Sequence, residues 1–416
     1  MSNQTTKRII IVGAGAAGFF AAINAAEKAK SQGLPVEIQI LEASKLILKK
    51  VRISGGGRCN VTHNLYEIPE FCLRYPRGSR ELESPFHIFQ ARDTVKWFKN
   101  RGVTLVAEED GRMFPDTNTS ETIINCFLEA AKKLEIQIQL NHKVDSIQRL
   151  ESGTFSVQIA NQEPKEADAV MIATGSSSFG YQLATNLGHS ITELAPSLFS
   201  FKIEDPLISE LSGLSFEDAE VNLWIENKTL FKERGPLLIT HWGLSGPAIL
   251  KISAWAAREM LHSNYLGVLK VNWTGLQRRE EVLDLLRKVK DQGHKSQIQN
   301  IYPEVVAKRF WLKVLEKANI HLEKRWAEIS KKELLILVEI LFSSEFKILG
   351  KNRYKDEFVE CGGIALNEIN FKKMESKICP NLYFAGEVLD IDGITGGFNF
   401  QNAWTGAWIA AQNMAH

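Results

Sequence analysis

The chain has 416 residues, of which 44% are hydrophobic and 24% charged, values typical of a globular enzyme with a sizeable core. Fifty Lys and Arg against 49 Asp and Glu give a net charge of +1, which disfavours a dedicated nucleic-acid or membrane-surface protein. No apolar run approaches the roughly 18 residues of a membrane span, and we expect no signal peptide. The five scattered cysteines lack a CxxC pair, so we predict reduced thiols, no metal site and a cytoplasmic location.

The first 45 residues predict one βαβ unit. Arg8–Val12 is a β-branched run, typical of a buried parallel strand. Gly13–Ala29 is rich in Ala and lacks Pro, which predicts a helix. The helix is broken at Ser31–Pro35, and Glu37–Leu41 is the second predicted strand.

Beyond this unit, we predict a strand pair around Ile136–Leu140 and Thr154–Ile159, and then an apolar strand at Ala169–Ala173. From about Pro196 short strand-like segments indicate a β-rich part, whereas residues 277–349 are mostly helical in pattern. Strand and turn patterns return at Phe358–Ala365 and near residues 381–384.

This order of elements predicts an α/β fold in which a nucleotide-binding domain is interrupted by an insert. The predicted first part of that domain covers residues 1–195. The insert covers residues 196–345, with a β-rich part at 196–275 and a helical part at 276–345. Residues 346–416 are predicted to complete the nucleotide-binding domain.

A GxGxxG fingerprint, Gly13–Gly18, follows the first strand and opens the first helix, the context in which this motif is specific. Gly13 suits a tight turn, Gly15 allows the backbone to approach a pyrophosphate, and Gly18 allows close helix–strand packing. Glu42 ends the second strand, where its carboxylate suits the hydroxyls of a ribose and disfavours a 2′-phosphate. The fingerprint alone leaves FAD and NAD open.

Three later segments favour FAD. Met171–Gly175 ends a buried strand in an Ala-Thr-Gly turn, as at flavoprotein dinucleotide sites. Asn381–Glu387 is an apolar strand that ends in Gly and a carboxylate, which suits a ribityl hydroxyl. Gly396–Ala403 leads into a predicted helix at Trp404–Ala411, whose positive end suits an anionic reduced flavin.

Four more motifs strengthen this reading: Ser54–Asn60, Glu109–Pro115, Thr240–Pro247 and Gly386–Gly393. Together with the fingerprint, they resemble the bacterial flavoprotein family that includes BaiN, YhiN and an aminoacetone oxidase. The resemblance implies a split Rossmann-like, GR2-type FAD domain with an inserted β-barrel-like and helical domain. The chain departs from the family pattern at Leu48, where a glycine usually precedes the basic pair.

The motifs and the resemblance together predict the residues that contact FAD. Three successive glycines in Ser54–Asn60 suit an anion-binding nest, and Cys59 is expected to be packed rather than catalytic. Arg58 and His241 are weak candidates for a catalytic group. The predicted FAD contacts are Gly13, Ala14, Gly15, Ala16, Ala17, Gly18, Glu42, Ala43, Lys50, Ser54, Gly55, Gly56, Gly57, Arg58, Cys59, Asn60, Val144, Ala173, Thr174, Gly175, Gly386, Glu387, Asp390, Gly397, Phe398, Asn399, Gln401, Asn402 and Ala403.

The resulting hypothesis is an FAD-dependent oxidoreductase that reduces a small or steroid-like carbonyl or enone substrate. The sequence has no second GxGxxG, so NAD(P)H is expected to bind only transiently as the electron donor. The alternatives are an oxidase that passes electrons from a small amine to oxygen, and a flavin-bound regulator. A further alternative is a flavin-dependent RNA-associated protein that uses Arg278, Arg279, Lys288 and Lys290, although overall neutrality makes a nucleic-acid partner a weaker prediction.

Overall fold

The computed structural model describes residues 5–226, 228–352 and 359–415. Contacts divide these residues into two compact units. The first contains residues 5–194 and 359–415, and the second contains residues 195–352. Phe358, the first residue of one predicted strand segment, lies outside the described residues. The domain boundaries inferred from the sequence stay a prediction.

The helices and strands are as follows in chain order. Up to residue 194 they are β1 (Lys7–Val12), α1 (Ala16–Gln32), β2 (Val36–Glu42), α2 (Lys49–Gly57), β3 (Thr62–His63), α3 (Ile68–Cys72), α4 (Ser79–Ile88), α5 (Ala91–Lys99), β4 (Leu105–Ala107), β5 (Arg112–Pro115), α6 (Ser120–Lys133), β6 (Gln137–Leu140), β7 (Val144–Arg149), β8 (Phe155–Ile159), β9 (Lys165–Ala167), β10 (Ala169–Ile172) and α7 (Ser178–Asn186). The second unit contains β11 (Ala195–Ser197), β12 (Phe201–Lys202), β13 (Ser215–Ile225), β14 (Lys228–Thr240), β15 (Gly243–Ser245), α8 (Pro247–Trp255), α9 (Ala257–His262), β16 (Gly267–Asn272), α10 (Arg279–Gln292), α11 (Lys308–Lys317), α12 (Lys331–Phe342), β17 (Ser344–Ile348) and β18 (Gly350–Lys351). The remainder of the first unit contains β19 (Val359–Cys361), β20 (Ile369–Asn370), β21 (Glu375–Ser376), β22 (Leu382–Phe384) and α13 (Phe398–Met414).

The first unit is built on a mixed sheet with the strand order β20-β21-β22-β10-β1-β2-β6. From β22 to β6 the strands are parallel, and the β20–β21–β22 edge is antiparallel. Ile9–Val12 and Ala169–Ile172 are completely buried, as expected for central parallel strands that are covered on both faces. The sheet therefore joins a strand from near the carboxyl end of the chain to the first βαβ unit.

Aromatic side chains fill the core beneath α1 and α13. The Phe20 ring lies 4.6 Å from the Trp97 ring and 5.2 Å from the Trp404 ring, measured between centroids. Phe127 contacts the same cluster, with its ring 5.6 Å from that of Trp404. Because Trp404 belongs to α13, this cluster fixes the last helix against elements from the start of the chain.

Two predictions about secondary structure need correction. The strands predicted as a pair do not pair with each other, since β6 lies beside β2 and β8 lies between β7 and β9. The reason is that α6 returns the chain parallel to β2, whereas short turns make β7, β8 and β9 antiparallel neighbours. The last helix begins at Phe398 rather than at Trp404.

The second unit contains an antiparallel sheet with the order β17-β16-β13-β14-β15-β12-β18. Apolar side chains from this sheet and from α8, α10, α11 and α12 share one core. The helical pattern predicted for residues 277–349 ends too late, because Ser344–Ile348 is strand β17. Its side chains alternate between buried and exposed, which is the period of a strand paired with β16.

Within the described ranges, no helix is long and apolar enough to cross a membrane. No cluster of three or more His, Cys, Asp or Glu side chains there has a metal-binding arrangement.

Candidate functional site

A cavity of about 330 Å³ opens in the first unit where the parallel strands end. Its walls come from the residues that follow β1, β2, β10 and β22. Open parallel sheets bind ligands at this edge, outside the carboxyl ends of their strands. The predicted residues that line the cavity are Gly13, Ala14, Gly15, Ala16, Ala17, Glu42, Ala43, Lys50, Val144, Ala173, Thr174, Gly175, Gly386, Glu387, Asn399 and Ala403.

The glycines of the fingerprint have distinct steric roles. Gly13 has φ +111°, and a Cβ there would lie 2.6 Å from the carbonyl oxygen of Ala173. A Cβ at Gly18 would overlap the carbonyl oxygen of Gly13, so this glycine allows α1 to approach the end of β1. A Cβ at Gly15 would meet no atom within 4 Å, because this position faces the cavity. The start of α1 therefore leaves room for a ligand at the positive end of a helix.

The Glu42 carboxylate is fixed by the backbone on both of its oxygens. Its Oε2 accepts the N–H of Ala14 and its Oε1 accepts the N–H of Ser44, each over 2.9 Å. A carboxylate oxygen can accept two hydrogen bonds, so each retains capacity for another donor. Because Glu42 also lines the cavity, it is positioned to bind a pair of hydroxyl groups.

Lys50 and Glu387 form an ion pair at the cavity wall. The Lys50 Nζ also lies 3.4 Å from the hydroxyl oxygen of Ser176. The Glu387 side chain is 14% exposed but that of Lys50 is 49% exposed, so the ion pair is only partly shielded from solvent. This contact joins α2 to the segment that follows β22 and places a carboxylate and an ammonium group together at the cavity.

Two buried hydroxyl groups close to this edge have no partner in the described part of the chain: those of Thr174 and Tyr181. Thr174 lines the cavity. An unsatisfied buried hydroxyl costs about 1–3 kcal/mol, which a ligand in the cavity would recover at Thr174. Burial raises the pKa of Tyr181, and the negative charges of Glu360, Glu387 and Asp390 raise it further, so its hydroxyl stays protonated.

These features fit a dinucleotide cofactor of the FAD class. The open position at Gly15 and the helix start suit a pyrophosphate, and Glu42 suits a ribose. The Thr174 hydroxyl has no hydrogen-bond partner among the described residues, and Glu387 adds a carboxylate to the cavity lining.

The remaining predicted contacts do not line this cavity. In Ser54–Asn60, Gly56 and Gly57 have positive φ values of 69° and 86°, and a Cβ at either would meet no atom within 4 Å. The Arg58 guanidinium binds the Glu108 carboxylate over 2.6 Å and lies 4.0 Å from the centroid of the Phe114 ring. The others outside the cavity lining are Gly18, Asp390, Gly397, Phe398, Gln401 and Asn402.

Cys59 is completely buried, and burial raises the pKa of its thiol to about 12. A thiol with that pKa is not a nucleophile at neutral pH. This protonation state agrees with the interpretation of Cys59 as a packed residue.

The start of α13 is held by hydrogen bonds inside the protein. Asn399 both donates to the carbonyl and accepts the N–H of Gly393, each over 2.8 Å. Gln401 accepts from the hydroxyls of Thr62 and Thr94 over 2.7 and 2.9 Å. Asn402 is fully buried, and neither its amide nitrogen nor its amide oxygen has a partner among the described residues. These contacts give Gln401 a positioning role that its sequence context did not predict.

His241 belongs to the second unit, where it is exposed and contacts the Trp242 ring with 4.2 Å between centroids. Its role as a candidate catalytic group stays a prediction.

The sequence did not predict the cavity residues that lie in loops or outside the recognised motifs. Flanking positions of the recognised motifs signal some of them, whereas His142 and Phe179 carry no local signal. The missed residues are Val12, Leu41, Ser44, Leu46, Leu48, Lys49, His142, Ser177, Phe179, Ala385 and Phe400.

Residues 7–413 match the family described as HI0933-like protein Rossmann domain. The ribosomal RNA dihydrouridine synthase of Escherichia coli (strain K12) is 28% identical, covering 97% of both chains. The enzyme of the same name from Haemophilus influenzae is 29% identical, covering 98% of both. The 3-dehydro-bile acid delta(4,6)-reductase of Clostridium scindens is 25% identical, covering 98% of this chain and 99% of that protein.

Among solved structures, the 3-ketosteroid-delta4-(5alpha)-dehydrogenase from Rhodococcus jostii RHA1 aligns with a TM-score of 0.52 and 11% identity. That alignment covers 100% of this chain and 98% of the dehydrogenase. At 11% identity, this structural similarity is evidence for the fold alone. The prediction of an α/β protein with a Rossmann-like domain and an additional domain is confirmed.

Proposed function

Since the chain belongs to the HI0933-like Rossmann family and is an FAD-dependent oxidoreductase, we propose that it reduces a carbon–carbon double bond conjugated with a carbonyl group, using electrons from NAD(P)H. The observation that carries this proposal is the nearly full-length similarity to two kinds of reductase. Dihydrouridine is uridine in which the double bond next to a ring carbonyl is saturated. The bile-acid reductase is named for double bonds conjugated with a 3-oxo group. The two substrates therefore share one reactive unit.

The cavity residues have defined tasks in this proposal. The start of α1 around Gly15 holds the pyrophosphate of FAD, and Glu42 accepts the hydroxyls of the adenosine ribose. Thr174 and Glu387 bind polar groups of the ribityl side. When bound, FAD supplies the two-electron hydride chemistry, and the chain supplies orientation and electrostatics.

We place uridine in ribosomal RNA first among substrates. Two of the similar proteins are named for that reaction, at 28% and 29% identity over nearly the whole chain. A small polycyclic enone is the second candidate, favoured by the 25% identity with the bile-acid reductase.

The test starts from the purified holoenzyme, mixed anaerobically with NADH or NADPH while flavin absorbance is followed. The reduced enzyme then receives either ribosomal RNA that lacks dihydrouridine or a 3-oxo-4,6-diene steroid. We expect flavin bleaching by one nicotinamide and dihydrouridine in the digested RNA, measured by nucleoside mass spectrometry. Failure of both nicotinamides to bleach the flavin would contradict the proposal and favour the oxidase of a small amine.

The cofactor assignment has a separate test in Glu42→Arg. The cation replaces the carboxylate that we assign to the ribose, so we expect the protein to lose most of its FAD during purification. Glu37→Arg is the matched control, because Glu37 lies on the same strand but does not line the cavity. A yellow Glu42→Arg protein with full FAD content would refute the ribose assignment.

A further inference from the structure

In the second unit, the end of α10 lies close to the segment that precedes α12. Lys290, in the last turn of α10, donates from Nζ to the carbonyl of Ile329 over 2.7 Å. The N–H of Ala327 donates to the carbonyl of His294 over 3.0 Å. These contacts place the end of α10 beside the residues that lead into α12.

Two tryptophans join the same place, Trp311 in the first turn of α11 and Trp326 in the segment before α12. The Trp311 Nε1 donates to the carbonyl of Ile298 over 2.8 Å, and the Trp326 Nε1 donates to that of Ile301 over 2.9 Å. The two indole rings stack with 6.1 Å between centroids. The end of α10 and the starts of α11 and α12 are therefore fixed around one buried pair of rings.

Six exposed basic side chains surround this junction, and we call them the basic end. No hydrogen bond or ion pair of these side chains occurs in the ranges that the structure describes. They are Lys288, Lys295, Lys308, Arg309, Lys331 and Lys332.

Other cations of the helical part are already engaged. Arg278 pairs with Glu281, and Arg279 pairs with Glu339. Of the four residues that the sequence suggested for RNA contact, Lys288 is the one whose side chain has no partner among the described residues, since Lys290 is bonded to Ile329. The candidate surface for RNA contact therefore lies at the end of α10 rather than at its start.

The distribution of charge sets this junction apart. Residues 278–333 contain 14 basic and 9 acidic residues, whereas residues 201–250 contain 4 basic and 8 acidic residues. The net charge of the whole chain is close to zero because a basic helical part and an acidic, strand-containing part offset each other. The exposed carboxylates of the junction, Asp291, Glu304, Glu323 and Glu328, do not balance the basic residues there.

The positions of these cations are unfavourable for the isolated helices. Lys308 and Arg309 occupy the first turn of α11, which has no acidic residue, and Lys331 and Lys332 begin α12. The start of a helix carries a partial positive charge, so cations there are electrostatically unfavourable. An anionic partner outside the fold would compensate for this cost.

We propose that the basic end is a docking surface for the phosphate backbone of RNA. The inference rests on the proposed function, because the substrate there is a base within ribosomal RNA. Exposed Lys and Arg side chains without internal partners can bind phosphates without breaking an existing ion pair. Sequence specificity is not required of this surface, since phosphate contacts position an RNA rather than read its bases.

The test is RNA binding by the holoenzyme, measured by fluorescence anisotropy with a labelled ribosomal RNA fragment at several salt concentrations. The variant carries Lys308→Gln, Arg309→Gln, Lys331→Gln and Lys332→Gln. We expect at least tenfold weaker binding at low salt, and a slope of log affinity against log salt that is smaller by about three. The matched control changes four exposed lysines of the first unit to Gln, namely Lys96, Lys99, Lys132 and Lys133, and should retain most of the affinity.

Reduction of a free small enone by NAD(P)H is measured on the same proteins and should not change. Wild-type protein that forms dihydrouridine, with equal RNA affinity in the variant and the control, would overturn the docking surface alone. Wild-type protein that binds RNA through the basic end but never reduces uridine would overturn uridine as the substrate and leave the docking surface standing. Wild-type protein with no RNA affinity would overturn both the docking surface and uridine as the substrate, and would leave a small enone as the substrate. If the fourfold variant fails to fold, one double variant with Lys308→Gln and Arg309→Gln and another with Lys331→Gln and Lys332→Gln replace it.

Discussion

Arg77 and Asp392, which are 315 positions apart in the sequence, form an ion pair inside the first unit. The Arg77 Nε donates to the Asp392 Oδ1 over 2.5 Å, and a second guanidinium nitrogen contacts Oδ2. The Asp392 side chain is completely buried, and that of Arg77 is 12% exposed. The pair therefore ties the segment before α4 to the segment between β22 and α13.

Removing one member of this pair should destabilise the protein strongly. Asp392→Ala leaves a guanidinium group in a mostly buried position without its carboxylate, which typically costs about 3–5 kcal/mol. We expect a loss of this size in the free energy of unfolding from urea titration. Asp284→Ala is the control, because its ion pair with Arg287 is exposed to solvent on both side chains and should contribute far less to stability. Equal effects of both changes would contradict the prediction.

Leu48 has φ +52° and ψ 31°, the left-handed conformation, at the position where the resembled family usually has glycine. Its side chain is also buried, at 1% exposure. Leu48→Gly should relieve about 1 kcal/mol of backbone strain but lose about 2–5 kcal/mol of packing, so the variant should be less stable than the wild type. Leu48→Ala loses the packing and keeps the strain, so it should be less stable than Leu48→Gly. At most positions the order is the opposite, because glycine lowers stability relative to alanine. Thermal unfolding of the three proteins decides the order.

Protonation of the buried His189 should destabilise the folded protein in mild acid. Its Nδ1 lies 2.8 Å from the Glu368 carboxylate and its Nε2 lies 2.8 Å from the Ser376 hydroxyl. Burial lowers the pKa of His189, against the opposing effect of Glu368, so the unfolded chain binds this proton more readily than the folded chain. Stability should therefore fall as pH decreases below the unfolded pKa of about 6.5. Between pH 7.5 and 5.5, His189→Gln should flatten this decline, whereas His87→Gln, at an exposed site, should not.

The cysteines should resist labelling in the native protein. All five are buried, and burial is the main reason that the pKa of Cys59 is raised to about 12 and the pKa values of Cys72 and Cys126 to about 11. A thiol reagent needs both access and thiolate. At pH 8 we expect less than one thiol to react rapidly in the folded protein and five to react in urea. Rapid native labelling of Cys59 would show that its segment opens.

The first βαβ unit could be predicted because its signals are local. A β-branched run, a glycine turn and an Ala-rich helix lie within 45 residues, and Glu42 follows at the expected distance. Thr174 could be predicted for the same reason, because it directly follows a short apolar strand. The cavity positions of these residues follow from one rule, that parallel strands end at the same edge of a sheet.

What could not be predicted depends on long-range contacts. β6 resembles a hairpin strand in sequence, and only its pairing with β2 makes it part of the parallel sheet. The first five residues of α13 include Asn399 and Asn402, which are weak helix formers, so the sequence there resembles a loop. Arg58 looks like an available cation in its motif, but Glu108 engages it from a distant segment.

The position of β22 beside β10 has a consequence during synthesis on the ribosome. Until residue 384 has been made, β10 lacks its parallel neighbour and presents an unpaired edge of backbone groups. By then the second unit has already been synthesised and contains the residues of its own core. The nascent first unit must therefore wait for the carboxyl-terminal segment, and this interval is when β10 is most exposed to pairing with another chain.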